Sequence, residues 1–350
     1  MGGLTRRDGV ELGVGALLVA AAAVARYATD VAVLQFVVAA LALAALARAV
    51  GGATEQLGAR VGAGAAGVVQ SALGNLPELF IALFALHDGL VEVVQAALVG
   101  SVIANGVLVL GIAFLVGGLR NGVQQLNSPR ARMIATLTTV AAAILAVPTL
   151  AHAFHAPAAA HSRTLSLVCA GVLLALFLLT LPGFLGTGEP EAAEETPRWP
   201  LATTVLVLAG AGVAAAFTSD WFVAALQPAT QRLGMSEAFA GLVVVAIAGN
   251  AVENVVGVQL AARNRPDFAV SVIVNSALQV ALLLTPVLVF ASLGFGTTLT
   301  LAFPTLLAIA LLLGAAIMAL VVYDAETNWE EGAILIGLYV VLAASFWWGS

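Results

Sequence analysis

Apolar segments of about twenty residues follow one another from end to end of this chain. A helix of that length crosses a bilayer core of about 30 Å. In hydrocarbon the backbone must satisfy its own hydrogen bonds, which restricts spanning structures to helices and closed barrels, and segments this long point to helices. Eleven spans can be marked: Val10–Arg26, Val31–Val50, Val61–Leu86, Val91–Gly117, Ala131–Ala151, Thr164–Leu185, Pro200–Phe217, Glu237–Ala262, Phe268–Leu293, Leu299–Val322 and Glu331–Trp348. Charged residues make up 9% of the chain, against about 25% in a soluble domain. The expected class is an all-α polytopic membrane protein. The first apolar stretch lacks a clear small-residue cleavage site and is expected to stay as a helix. The single Cys169 leaves no internal disulfide.

The least regular connection is Gly186–Trp199, "GTGEPEAAEETPRW", acidic and containing both Gly and Pro. It reads as a solvated linker. It divides the chain into a leading helix (1–30), a first group of five spans (31–185), the linker (186–199) and a second group of five (200–350). Arginine placement sets the orientation. With the N-terminus inside, Arg6, Arg7, Arg48, Arg60, Arg120, Arg130, Arg132, Arg198, Arg263 and Arg265 fall inside, and only Arg26, Arg163 and Arg232 fall outside. This positive-inside bias predicts a cytoplasmic N-terminus and linker and an outside C-terminus. The expected location is a prokaryotic plasma membrane. The net charge of −6 is spread over loops and says little about partners. The lipid bilayer is the partner that composition names, and no nucleic-acid partner is expected.

The two halves carry one motif. The first contains "GNLPELFIALFAL" (Gly74–Leu86) and the second "GNAVENVVGVQLA" (Gly249–Ala261), each with Gly-Asn-x-x-Glu in its second span. Five spans per half is an odd number, so the halves cross the membrane in opposite senses. Such inverted repeats are typical of secondary transporters with a site near the bilayer midplane. In the next span, Ser101 and Asn105 are four apart and share a helix face, and so do Asn275 and Gln279, with Ser276 beside them.

A carboxylate at membrane depth is costly and marks a functional site by default. Glu78 and Glu253 have no arginine deep in any span to pair with. Gly74, Pro77 and Gly249 can loosen the helices, and freed carbonyls are tolerated where they face a cavity. Two carboxylates with amide, hydroxyl and carbonyl oxygens suit a hard cation such as calcium. The candidate ligands are Glu78, Glu253, Asn75, Asn250, Ser101, Asn105, Ser276 and Gln279. The glutamates are also the candidate proton carriers.

These residues give the chain a family likeness. It resembles the calcium/cation antiporter superfamily, and within it the proton-coupled exchangers, whose repeats carry the Gly-Asn-x-x-Glu signature. "VQAALVGSVIANGVLVLG" (Val94–Gly111), "SEAFAGLVVVAIAGNAVENV" (Ser236–Val255) and "LQVALLLTP" (Leu278–Pro286) are similar to further blocks of the family. The resemblance implies an eleven-helix fold that exchanges Ca2+ for H+, with no cofactor. It implies that Glu78 and Glu253 serve both ions, helped by Asn75, Asn250, Ser101, Asn105 and Gln279. It also implies that Val31–Val50 and Pro200–Phe217 slide as a pair against a fixed core. Two departures stand out. The family histidine after the second glutamate is Asn254 here, and Val274–Ser276 reads "VNS" where Gly-Ser-Ser is usual. The sodium-coupled branch tends to place an extra carboxylate where this chain has neutral Asn105 and Gln279.

Other classes fit less well. An intramembrane aspartyl protease needs two Asp within spans, and all six here lie in loops or at span ends. A serine intramembrane protease needs a buried Ser/His pair, and no His lies inside a span, so no enzyme is expected. A sodium or other monovalent cation/proton antiporter is the alternative reading, favoured by Asn254. A cation channel is the competing class, although a paired-carboxylate site in inverted repeats suits alternating access better than a multi-ion pore.

Overall fold

The structure is a computed structural model. It describes residues 3–126, 129–186 and 197–349, without the side chains of 61–72, 182–186 and 251–253. Most of the linker and the Glu253 side chain therefore lie outside the described residues.

The elements are α1 (Arg6–Ala28), α2 (Ala32–Leu73), α3 (Leu76–His87), α4 (Val91–Ile103), α5 (Leu110–Asn121), β1 (Gln124–Gln125), α6 (Pro129–Ala153), α7 (Ser162–Gly186), α8 (Leu201–Leu233), α9 (Glu237–Phe239), α10 (Ala246–Gly249), α11 (Ala251–Ala262), α12 (Pro266–Gln279), α13 (Thr285–Ala291), α14 (Thr305–Tyr323), β2 (Glu326–Thr327) and α15 (Trp329–Ser345). Three wide π-helical stretches, Ala104–Val109, Ala240–Val245 and Val280–Leu284, continue α4, α9 and α12 without a break. The chain is an all-α integral membrane protein. Eight described helices are long and apolar enough to cross a bilayer, and a ninth span follows if Glu237–Gly249 and Asn254–Ala262, bent by 63°, count together. The third expected span, Val61–Leu86, is split at Gly74 and Asn75 between the end of α2 and the 12-residue α3, and the last appears as the 17-residue α15. Neither α3 nor α15 alone is long enough to count among the eight, so helix length and apolarity do not fix the count of eleven. Gly51–Arg60 is helical as well, and α8 runs past Phe217 to Leu233 with Pro228 inside it.

The described chain forms two compact units, Met1–Phe84 with Ala175–Leu233, and Ala85–Leu174 with Gly234–Ser350. Each takes helices from both halves of the sequence. In the first, α1 opens with a capping box, in which the Asp8 amide donates to Thr5 Oγ1 at 3.1 Å and the Thr5 amide to Asp8 Oδ2 at 2.8 Å. The Arg48 fork on α2 grips Glu11 on α1 at 2.9 and 3.0 Å. Phe36 stacks on Phe222 at 4.8 Å, while Leu46 and Val50 pack with Ala211 and Ala215. These pairs run in opposite directions along the two helices, so α2 and α8 are antiparallel. The end of the linker is held here. The Arg198 and Trp199 amides donate to Gln56 Oε1 at 2.8 and 3.1 Å, and Trp199 Nε1 donates to Asp8 Oδ2 at 3.1 Å. Trp199 is buried, so the solvated stretch expected up to this residue ends before it.

The second unit is closed at both ends of its helices. On the face expected to be cytoplasmic, β1 pairs antiparallel with β2, Gln124 opposite Thr327. Gln124 Nε2 donates to Asn264 Oδ1 at 2.8 Å, and Asn121 Nδ2 to the Ala261 carbonyl at 3.2 Å. At the other end, side chains bind the irregular run Leu299–Phe303. Gln95 Nε2 donates to the Thr300 carbonyl, and the Leu301 and Phe303 amides donate to Ser166 and Thr149 hydroxyls at 2.9 and 2.8 Å. Between these ends the helices approach closely at glycines. A Cβ on Gly241 would stand 2.5 Å from the Val93 carbonyl oxygen.

Candidate cation-binding residues

Both Gly-Asn-x-x-Glu motifs break a helix. In the first unit, α2 ends at Leu73, Gly74 and Asn75 form the turn, and α3 starts at Leu76. Pro77 stands at the second position of α3, where a missing N–H costs little. It also leaves the Leu73 carbonyl without its i+4 donor. Glu78 is the third residue of α3. In the second unit α10 ends at Gly249, Asn250 is the turn and α11 starts at Ala251, so Glu253 is the third residue of α11. Each glutamate therefore stands in the first turn of a new helix, where unsatisfied N–H groups and the positive end of the macrodipole favour a carboxylate. That is the local reason for a charge beside a helix breaker. Glu78 is 5% exposed and Asn75 8%. The Glu253 side chain lies outside the described residues.

In the second unit the neutral candidates form one buried network. Asn250 Nδ2 donates to the Ala246 carbonyl at 2.9 Å and to Ser101 Oγ at 3.2 Å. Asn250 Oδ1 accepts from Ser276 Oγ at 2.8 Å and from Asn105 Nδ2 at 3.0 Å. Asn105 Nδ2 also donates to Ser276 Oγ at 3.2 Å. Ser101, Asn105, Asn250 and Ser276 are all buried, and so is Gln279 at the end of α12, while Asn275 is half-buried. The network joins α4, the π-helical turn, the α10–α11 break and α12. Asn105 lies inside the π-helical stretch that follows Ser101, and Gln279 immediately precedes the one that ends α12. Nothing in the apolar runs ANGVLV and VALLL announces these turns, although π-helical turns often mark functional sites. Asn254 Oδ1 is a buried oxygen without a hydrogen-bond partner, one residue beyond Glu253. The described residues hold no cluster of three or more His, Cys, Asp or Glu fit for a metal. Among the described residues, the chemistry on offer is the buried carboxylate of Glu78 in the first unit and a mesh of neutral amides and hydroxyls in the second.

Comparison with known proteins places this geometry. The family described as sodium/calcium exchanger protein matches residues 31–185 and 203–348. A Ca(2+)/H(+) antiporter of Synechocystis sp. is 33% identical over 336 residues, covering 89% of this chain and 90% of its own. The Ca(2+)/H(+) antiporter ChaA of Bacillus subtilis is 34% identical over 321 residues, covering 89% and 91%. Among solved structures, native YfkE superimposes with a TM-score of 0.83 at 30% identity, covering 96% of this chain and 99% of that one. The H+/Ca2+ exchanger CAX shares the fold with a TM-score of 0.79 at 15% identity, covering 97% and 92%. Matched over most of both halves of its sequence, the chain belongs to the sodium/calcium exchanger family.

Proposed function

We propose that this protein is a secondary antiporter that exchanges Ca2+ for H+ by alternating access, with Glu78 and Glu253 as the residues that carry both ions. The observation that carries the reading is the doubled helix break. Each repeat presents a Gly-Asn turn and then a glutamate at the third position of a membrane helix. A carboxylate there must be matched by a proton or by a cation. Proton and Ca2+ are then mutually exclusive ligands, which is the minimal condition for exchange. Asn75 in the first unit and Ser101, Asn105, Asn250, Ser276 and Gln279 in the second are the candidate neutral residues around the ion path, and Ca2+ takes six to eight oxygens. The antiporters at 33% and 34% identity support this choice of ions. Ca2+ and H+ are cargo, no resident cofactor is required, and no chemical conversion takes place. The arginine distribution supports a plasma-membrane protein with a cytoplasmic N-terminus and an outside C-terminus. The antiparallel packing of α2 on α8 supports two inverted five-helix repeats after a leading helix, with these two helices moving as a pair.

The test is 45Ca uptake into proteoliposomes under an imposed pH gradient, with and without Na+. Uptake that needs the proton gradient and ignores Na+ is expected. A second reading, monovalent cation/proton exchange, draws on Asn254, which replaces a titratable side chain with a neutral one. Proton-driven Na+ uptake without Ca2+ uptake would establish it instead.

A further inference from the structure

We propose that Asn250 and Ser276 do not ligate the transported cation but are positioning residues, which lock the Asn105 amide so that its oxygen is the one presented for binding. The inference rests on the exchange reading above and assigns roles within its neutral oxygens.

The argument starts from a backbone carbonyl, which can only accept. The Asn250 amide atom 2.9 Å from the Ala246 oxygen must therefore be the nitrogen. Its second N–H goes to Ser101 Oγ. Asn250 Oδ1 then faces two donors, the Ser276 hydroxyl at 2.8 Å and an Asn105 amide atom at 3.0 Å. The Asn105 atom must again be the nitrogen, because two amide oxygens would repel one another. Both N–H groups of Asn105 are used, one on Asn250 Oδ1 and one on Ser276 Oγ. An amide has two donors and one two-lone-pair oxygen. Both lone pairs of Asn250 Oδ1 thus accept hydrogen bonds, and none is left for a cation. Its donors point at Ala246 and Ser101, where they repel a cation in any case.

One oxygen is left over. Asn105 Oδ1 has no hydrogen-bond partner, and Asn105 is 0% exposed. A buried amide oxygen without a donor is costly to maintain, and a hard cation is a ligand that needs such an oxygen and brings no competing donor. The orientation passes along one line: the Ala246 carbonyl sets Asn250, Asn250 and Ser276 set Asn105, and Asn105 keeps its oxygen out of these bonds. Ser276 is needed because a hydroxyl can donate to one amide and accept from the other at once. Every member lies in the second compact unit. The carbonyl at the head of the line belongs to the last turn before the Gly-Asn break, so the break and the ligand are mechanically linked.

The experiment is a double-mutant cycle on 45Ca uptake in proteoliposomes, reading half-saturating Ca2+ separately from maximal rate. Ser276→Ala should raise half-saturation about tenfold while maximal flux stays within twofold, and Ser276→Thr, which keeps the hydroxyl, should restore it. In the Asn105→Ala background, Ser276→Ala should add nothing, because its effect acts through Asn105. Asn250→Asp separates the roles most sharply. A ligand at this position would keep or gain affinity from the added charge, whereas a positioning residue that loses its two donors should bind Ca2+ more than tenfold more weakly. Additive effects of the Ser276 and Asn105 substitutions, or Asn250→Asp binding as tightly as wild type, overturn the inference while exchange itself stands. A wild-type protein that takes up no Ca2+ under the gradient overturns the exchange reading, and this inference with it.

Discussion

Gly241→Ala is a small change with a calculable consequence. The new Cβ would lie 2.5 Å from the Val93 carbonyl oxygen, 2.9 Å from Ala96 Cβ and 3.1 Å from Ala97 N. Ordinary carbon–oxygen contacts begin near 3.3 Å, so the backbones must part by about 0.8 Å. The Val93 oxygen and the Ala97 nitrogen are backbone atoms, and no side-chain rotation relieves them. Overpacking of this kind costs about 1–3 kcal/mol, which corresponds to a melting-temperature loss of roughly 1–4 °C in a chain of this size. The same displacement reaches the polar network, because the Ala240–Val245 turn leads directly into Ala246 and Asn250. A shift of about 0.8 Å along the 3.2 Å bond from Asn250 to Ser101 takes it to about 4 Å, outside hydrogen-bond range. Thermal melting of purified protein in detergent, together with 45Ca flux, reads both effects. Gly171→Ala on α7 is the control: nothing stands within 4 Å of its Cβ, and helix propensity favours alanine there by up to about 1 kcal/mol. Gly241→Ala melting at or above wild type, with full flux, would refute the close-approach argument.

Glu78→Gln and Glu253→Gln should each abolish exchange and leave expression intact. Near wild-type flux from either variant would remove that residue from the ion-carrying pair. If both carboxylates are protonated in the empty state, two protons leave for each Ca2+ and the cycle is electroneutral. Flux at a fixed pH gradient should then be indifferent to a potassium–valinomycin voltage, while Ca2+ affinity falls steeply as pH drops. Strong voltage dependence would exclude the two-proton cycle. Spin labels at lipid-exposed Leu41 on α2 and Val213 on α8, in a Cys169→Ala background, should give one unchanged distance distribution in Ca2+-loaded and acidic protein. A changed distribution would mean that α2 and α8 do not travel as a pair. Cysteine labelling of engineered linker positions should be confined to the cytoplasmic side.

Some of this was legible in the sequence because it depends on local chemistry. An apolar run of twenty residues admits few alternatives in a bilayer, and Gly-Asn ahead of a glutamate signals both a helix break and a charge that needs the first turn of the next helix. Other features depend on partners distant in the chain. Trp199 looked like the end of a solvated linker, yet it is buried against Asp8 and Gln56. Two short polar pairs, Gln124–Gln125 and Glu326–Thr327, meet as a ladder that neither loop specifies alone. The polar stretch after Phe217 reads as a helix end, but α8 continues through Thr218 and Ser219, both buried. The π-helical turns have no compositional mark, since a residue added to a turn changes geometry without changing hydropathy.

The difference between the two halves then acquires a physical meaning. At matching positions the first half has Ser101 and Asn105 and the second has Asn275 and Gln279, so the two halves do not offer the same neutral side chains. In the structure the second half contributes Ser276, one residue past the matching position, and its hydroxyl joins two amides from different helices. A glycine-serine-serine sequence would offer small hydroxyls at both places. The "VNS" of this chain keeps the hydroxyl at Ser276 and places the larger Asn275 beside it, half-buried. Retaining that one hydroxyl is enough to close the hydrogen-bond line from Ala246 to Asn105. Asn275 is thus free to differ from the family pattern without breaking that line. Substituting Asn275 with serine, to match the usual triplet, should leave the half-saturating Ca2+ of this protein within about twofold, because none of the bonds that orient Asn105 involves its side chain. A tenfold change in a well-folded Asn275→Ser protein would mean that the line through Ser276 is not what sets the ligand.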